Sequence, residues 1–174
     1  NEVDDSAHVM MFLTNLEAQS LAVYPIHRLI KCPIPFDEIE FMNQVEKYFS
    51  VESINEGVEK NKIRKALDSA DAGDIVFYVY FGQGRGCCLE IKEKTNMLPM
   101  LAADESEELT VLDVAQLHTV ILKNILNIDT KEPNSQKYVT YKVDIIEALS
   151  RVDSGEFDLA FFMNATRVGD VRNL

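Results

Sequence analysis

The longest stretch with a regular pattern of apolar and polar positions runs from Thr110 to Ile128. Thr110 is suited to cap the first turn of a helix, and Asp113, three residues on, completes a capping box and meets the positive end of the helix dipole. Six side chains recur at steps of three and four, on one helical face: Val111, Val114, His118, Ile121, Leu122 and Ile125. The pattern predicts the core helix of the fold.

Shorter apolar stretches predict the other elements. Alternating or β-branched apolar runs indicate strands, and apolar residues at steps of three and four indicate helices. Strands are predicted over residues 8–14, 21–30, 50–54, 74–81, 87–92, 138–143 and 157–163. Helices are predicted over 36–49, 58–72 and 144–155, with a last helix that begins at Thr166.

The order of these elements predicts how they are arranged. The first two strands are separated by a short polar gap, which predicts a hairpin, and Pro25 predicts that the second lies at a sheet edge or contains a bulge. Residues 74–81 are apolar on both faces, as in a central strand. Strand, helix and strand over 138–163 predict a right-handed parallel crossover. We expect an α+β fold with a mixed β-sheet of about six strands, helices packed on it, and a single domain over residues 1–174.

Composition and charge narrow the classes of function. The chain has 174 residues, 47% of them hydrophobic and 26% charged, which is ordinary for one folded domain. Its net charge of −12 argues against binding nucleic acid or an anionic membrane surface. No apolar run approaches the roughly 18 residues of a membrane span, and the acidic first residues lack the order of a signal peptide. Three cysteines argue against a disulfide framework, so we expect a cytoplasmic protein.

Two motifs resemble reactive sites but have simpler explanations. Gly82, Gly84 and Gly86 suggest a phosphate loop, yet a strand rather than a helix follows them, which predicts a hairpin turn. Cys87 and Cys88 are adjacent and point to opposite faces of a strand, so we expect one buried and one half-exposed thiol rather than a metal site. The sequence contains no recognisable catalytic triad, zinc motif or catalytic carboxylate pair, and it identifies no cofactor.

Four polar side chains are candidates for binding. His27 and Arg28 could together hold an anion such as a carboxylate or a phosphate, although an arginine paired with a surface carboxylate is the simpler alternative. Asp113 and His118 are five residues apart and do not share a helix face. We therefore expect a helix cap and a hydrogen-bonded core histidine rather than a catalytic dyad.

Asn164, Ala165 and Thr166 end a predicted buried strand and begin a helix. Ligands of α/β sheets tend to bind where strands end in this way, and free N–H groups there attract anions. Capping of the helix by Thr166 is the alternative explanation.

Three stretches of the chain carry a more specific pattern. The first is the N-terminal stretch VMMFLTNLEAQSLAVYPIHRLIK. The second consists of Leu112, Asp113, Val114, Leu117 and His118. The third consists of Tyr141, Asp144, Glu147, Ala148, Val152, Asp153, Gly155, Ala160, Phe161, Asn164 and Thr166. Together they resemble the bacterial family catalogued as domain of unknown function 1015. Ile26 and Ala165 stand where that family tends to have threonine and proline.

The resemblance implies that the chain is the central fragment of a larger protein. The family's Gly-His-His-Arg motif, which is similar to the ParB-like catalytic motif, is expected before Asn1, and its Met-Pro-x-Lys-Ser-Thr-x-Phe motif after Leu174. Its ParB-like relatives include kinases that phosphorylate free serine, so the implied role is a structural or substrate-shaping domain of a phosphotransferase, inactive alone. The implied partners are the flanking segments of the same polypeptide and a small-molecule anion. A non-enzymatic regulatory or protein-interaction module is the alternative.

Overall fold

The computed structural model describes residues 23–54, 57–68, 76–92 and 113–165. Within these ranges six strands form one sheet: β1 (His27–Ile30), β2 (Phe49–Ile54), β3 (Val76–Gly82), β4 (Arg85–Ile91), β5 (Val139–Lys142) and β6 (Leu159–Phe162). The helices are α1 (Glu38–Val45), α2 (Lys60–Asp68), α3 (Asp113–Gln116), which continues as a π-helix (Leu117–Ile125), a 3₁₀ turn (Gln136–Tyr138) and α4 (Ile145–Asp153).

The strands are ordered β2-β4-β3-β6-β1-β5, and every neighbouring pair is antiparallel. This confirms the predicted α+β class and the six-stranded sheet, but the sheet is antiparallel rather than mixed. The predicted parallel crossover between β5 and β6 does not form a strand pair, because β1 lies between them and hydrogen-bonds to both. β5 and β6 do run in the same direction, with α4 connecting them.

The position of β1 also corrects the interpretation of Pro25. β1 begins at His27 and lies inside the sheet, between β5 and β6. Pro25 precedes the strand, where its missing N–H costs no ladder hydrogen bond. The predicted edge or bulge at Pro25 is therefore wrong, and the other strand of the predicted hairpin, 8–14, falls outside the described residues.

Helices cover both faces of the sheet. On one face, which we call the α1 face, α1 and the π-helix pack on side chains such as Phe77 and Phe161. On the other, the α2/α4 face, those helices pack on Tyr78 and Phe162. Because consecutive side chains of a strand alternate between faces, burial on both sides requires apolar residues throughout. This explains why β3 is apolar along its length and confirms its predicted central place.

The predicted core helix is present, but much of it is a π-helix. The N–H of Leu126 donates to the carbonyl of Ile121, five residues back, at 2.9 Å. Leu117, Val120, Ile121 and Leu122 are fully buried. The predicted inward residues Val114 and Ile125 are half-buried and pack against the same core, and His118 is half-buried. Thr110 and Val111 lie outside the described residues.

The predicted hairpin turn is confirmed, and the helix predicted over 144–155 begins with a side-chain cap. Gln83 and Gly84 have φ values of 55° and 74° and form the turn of the β3–β4 hairpin. Asp144 caps α4, since its Oδ1 accepts the N–H of Glu147 at 2.8 Å. The Glu147 carboxylate pairs with Lys142 at 2.5 Å.

Candidate functional site

Several of the candidate residues lie at one end of the sheet. There β1 begins at His27, β5 ends at Lys142 and β6 ends at Phe162, and the strand register places these residues side by side. We call this the His27 end of the sheet. Asn164 follows β6 at the same end. The negative charge of Asp113 is close enough to raise the pKa of Arg28. Thr166 falls outside the described residues.

His27 and Arg28 point to opposite faces of β1. The His27 ring lies edge-on to Phe162 on the α2/α4 face, with the ring centroids 5.0 Å apart. The Arg28 Nη1 atom lies 2.9 Å from the sulfur of Met163 on the α1 face. The two side chains therefore do not converge on one anion, because adjacent residues of a strand alternate between faces.

His27 is buried without hydrogen bonds from its ring. Its exposed fraction is 1%, and neither ring nitrogen has a hydrogen-bond partner within the described ranges. The pKa of His27 is lowered from 6.5 to about 4, mainly by burial and also by the charges of Arg28 and Arg64, while Asp144 acts in the opposite direction. The imidazole is neutral at pH 7, and burying such a polar ring without partners costs stability.

Arg28 is a buried cation with an exposed fraction of 6%. Its Nη1 donates to the Ile26 carbonyl and to Met163, and its guanidinium lies 5.5 Å from the centre of the Tyr141 ring. Burial lowers its pKa, while Tyr141 and Asp113 raise it. No described carboxylate lies within ion-pair distance of it. The alternative of a surface arginine paired with a carboxylate is therefore wrong.

Asp113 and His118 make hydrogen bonds to different parts of the chain. The Asp113 Oδ1 accepts the N–H of Val114 at 2.7 Å, within the first turn of α3. The Nδ1 of His118 lies 2.7 Å from the hydroxyl oxygen of Thr130. His118 is half-buried and hydrogen-bonded, and the structure gives it a contact with the loop after the π-helix rather than with Asp113.

Asn164 connects β6 to α2. Its Nδ2 donates to the carbonyl of Leu67 at 2.9 Å, in the last turn of α2. The last carbonyls of a helix have no partner within the helix, so this amide satisfies one of them. Asn164 thus closes a helix end through its amide nitrogen.

Other residues of the third resembling stretch also make contacts within the fold. Tyr141 lies beside Arg28, Asp144 caps α4 and Gly155 follows the end of α4 with φ of 77°. Asp153 accepts hydrogen bonds from the Tyr80 hydroxyl at 2.6 Å and the Gln83 N–H at 2.8 Å. The residues that carry the resemblance therefore hold strands and helices together.

The cysteines and acidic side chains give no reactive centre in the described part of the chain. Cys87 is buried and Cys88 half-buried, as predicted. Burial raises the pKa of Cys87 to about 12 and that of Cys88 to about 11, so both thiols stay protonated at neutral pH. The described residues hold no group of three or more metal-binding side chains. None of the helices in these ranges has the length and apolar character to cross a membrane.

Sequence reasoning missed a groove of about 340 Å³ between α1 and the end of the π-helix. Asp37, Glu40 and Gln44 lie along it, at steps of three and four on α1. That spacing was the available signal, because it gives α1 a continuous polar face beside its apolar one.

Comparison with known proteins identifies a family without an assigned activity. No curated protein and no solved structure matches the chain. Residues 2–115 match the family described as "Protein of unknown function (DUF1015)". The match covers the first of the three resembling stretches and Leu112, Asp113 and Val114 of the second, and it ends inside α3, before the third. Because the family match spans more than half of the 174 residues, the chain belongs to the DUF1015 family.

Proposed function

We propose that this chain is a structural, substrate-shaping domain of a cytoplasmic phosphotransferase that acts on a free amino acid such as serine. The observation that carries the domain role is the use of the motif residues. Asn164 binds the end of α2, Asp153 binds the β3–β4 turn, and Asp144 caps α4. Side chains committed to such contacts position a framework, and the reacting groups come from elsewhere in the polypeptide.

The phosphotransfer chemistry rests on the resemblance to ParB-like serine kinases. Phosphoryl transfer needs positioned cations and a base. In this proposal the Gly-His-His-Arg and Lys-Ser-Thr motifs of the flanking segments supply them. The His27 end of the sheet is the surface we assign to contact with those segments, because Arg28 brings a positive charge there that no described carboxylate neutralises within ion-pair distance.

The test compares residues 1–174 with a longer polypeptide that includes both flanking segments encoded by the gene. Each is incubated with serine and with ATP or pyrophosphate as the phosphoryl donor, and phosphoserine is measured. We expect turnover by the longer protein and none by residues 1–174. Absence of turnover by the longer, folded protein with every donor contradicts the enzymatic proposal.

A protein-interaction module is a second candidate, favoured by exposed apolar side chains. Tyr24 is 67% exposed, and Ile26, Tyr141, Val143 and Ile146 are also exposed. They belong to β5 at the edge of the sheet and to the segments next to it, and exposed apolar clusters commonly mark protein contacts. The variant Ile146→Lys separates the two candidates: it weakens partner capture if the surface is an interface, and leaves serine phosphorylation intact if it is not.

A further inference from the structure

The groove between α1 and the π-helix combines an apolar floor with a polar rim. Phe36, Phe41 and Ile125 form part of the floor, and Asp37 and Glu40 lie on the rim. Its volume of about 340 Å³ is in the range of small-molecule sites. We propose that this groove binds a small organic cation, with an ammonium head at the rim and an apolar body on the floor.

Both rim carboxylates have one oxygen available to a ligand. The Asp37 Oδ1 accepts the N–H groups of Ile39 and Glu40, at 2.9 and 3.0 Å. The Glu40 Oε1 accepts the Nε2 of Gln44 at 2.6 Å. In the part of the chain that the structure describes, nothing donates to Asp37 Oδ2 or Glu40 Oε2. Two negatively charged acceptors are therefore left for a donor that the ligand brings.

The opposite wall also favours positive charge. It is the C-terminal end of the π-helix, where carbonyl groups and the negative end of the helix dipole are found. Asn124 uses its Nδ2 to donate to the Thr119 carbonyl at 2.5 Å, so its Oδ1 is left as an acceptor. Asn127 follows with φ of 56°, a left-handed conformation that ends the helix beside the groove.

The nearby cations are occupied. Neither lysine nor arginine is among the described residues that line the groove. Lys47 donates to the Oε1 of Gln44 at 2.5 Å, Arg85 pairs with Glu38 at 2.8 Å and Lys123 pairs with Asp129 at 3.2 Å. An anionic ligand would meet two carboxylates and no described lysine or arginine, which favours cations over anions in the groove. This proposal is independent of serine phosphorylation.

The experiment uses three probes of one shape and different charge: 4-phenylbutylamine, 4-phenylbutanol and 4-phenylbutyrate. Each is titrated into residues 1–174, and binding is followed by calorimetry and by chemical-shift changes in the NMR spectrum. We expect saturable binding of the amine at one site, with shifts confined to α1 and the π-helix. The alcohol should bind about five- to tenfold more weakly, and the carboxylate should not saturate.

Two conservative variants test the rim. Glu40→Gln keeps the acceptor for Gln44, and Asp37→Asn keeps a residue that caps helices well. Each variant should weaken binding of the amine about two- to fivefold and leave binding of the alcohol unchanged, because an exposed ion pair contributes modestly to affinity. The matched control is Glu46→Gln, an exposed carboxylate beside α1 that does not line the groove, and it should have no effect.

The proposal is overturned by no saturable binding of the amine, by equal binding of amine and alcohol, or by an equal effect of Glu46→Gln and Glu40→Gln. A shift of the NMR changes to the His27 end of the sheet also overturns it. If Asp37→Asn lowers the melting temperature, the binding data for Glu40→Gln alone test the role of the rim, since the Glu40 side chain caps no helix end.

Discussion

The Tyr80 hydroxyl donates to Oδ1 of Asp153 at 2.6 Å and so joins β3 to the last residue of α4. The same carboxylate oxygen accepts the N–H of Gln83 at 2.8 Å, and the Tyr80 hydroxyl oxygen accepts the N–H of Gly84 at 3.0 Å. Gln83 and Gly84 form the β3–β4 turn, where two successive residues have positive φ. The network therefore fixes the turn against the end of α4.

Removing this hydroxyl should cost stability. Tyr80→Phe removes the donor to Asp153 and the acceptor for Gly84 while the ring stays buried, so we expect a loss of about 1–2 kcal/mol in the free energy of unfolding. Urea denaturation at pH 7 measures it. The matched control is Tyr24→Phe, because Tyr24 is exposed. Equal stability of the two variants would show that the network contributes nothing.

His27 should make the protein less stable in mild acid. Its pKa is near 4 in the folded state and about 6.5 in the unfolded chain, so between these values the unfolded chain binds more protons. Stability therefore falls as the pH falls from 6.5 towards 4, by about 3 kcal/mol from this residue. The charged groups that influence its pKa are Arg28, Arg64 and Asp144.

The variant His27→Phe isolates this contribution. Phenylalanine removes both unpartnered nitrogens and packs in a similar position against Phe162, so the variant should equal or exceed the wild type in stability at pH 7. Urea denaturation at several pH values between 4 and 7.5 should show a shallower dependence for the variant. Parallel curves for the two proteins would mean that His27 is not the titrating group.

Local signals in the sequence predicted the parts of the fold that depend on neighbours in the chain. The β3–β4 hairpin follows from its glycines, and the cap of α4 follows from Asp144. The central place of β3 follows from an apolar run that only a doubly covered strand can bury. In each case a short segment carries the whole physical cause.

Other features depend on contacts distant in sequence and could not be predicted in this way. β1 is covered on both edges by β5 and β6, more than 100 residues later, and this pairing buries His27 and Arg28. The π-helix buries Leu117 and Val120 together with Ile121 and Leu122, and a pattern that assumes 3.6 residues per turn did not include Leu117 and Val120. The groove forms only when α1 and the π-helix come together.

Alanine substitutions at Gly86 and Gly155 should destabilise the fold to different extents. A Cβ at Gly86 would collide with the Val79 carbonyl oxygen of the neighbouring strand, and backbone atoms in a paired strand cannot move aside easily. At Gly155 a Cβ meets nothing within 4 Å, and only the φ of 77° is unfavourable.

We therefore expect Gly155→Ala to cost about 1–2 kcal/mol in the free energy of unfolding, and Gly86→Ala to cost clearly more. Thermal or urea denaturation of the two variants under the same conditions gives the comparison. If Gly86→Ala were the milder change, β3 and β4 could not be paired in the register described here.

Arg28 allows the structural and functional roles of a buried cation to be separated. Arg28→Met keeps an unbranched side chain against Met163 and Tyr141 and removes the desolvation cost of the charge. The Ile26 carbonyl loses one donor, but Ile26 is partly exposed to water. We expect Arg28→Met to unfold within about 1 kcal/mol of the wild type, or to be more stable.

Arg28→Lys should be the more damaging change. An ammonium is more strongly hydrated than a guanidinium and cannot reproduce its planar geometry, so its burial costs more. The two variants are then compared in the longer polypeptide by measuring phosphoserine formation. A stable Arg28→Met protein without turnover would assign the charge of Arg28 to function, because its packing is retained. Full turnover by the same variant would leave Arg28 with a role only in the fold, and would remove the His27 end of the sheet from the proposed contact with the flanking segments.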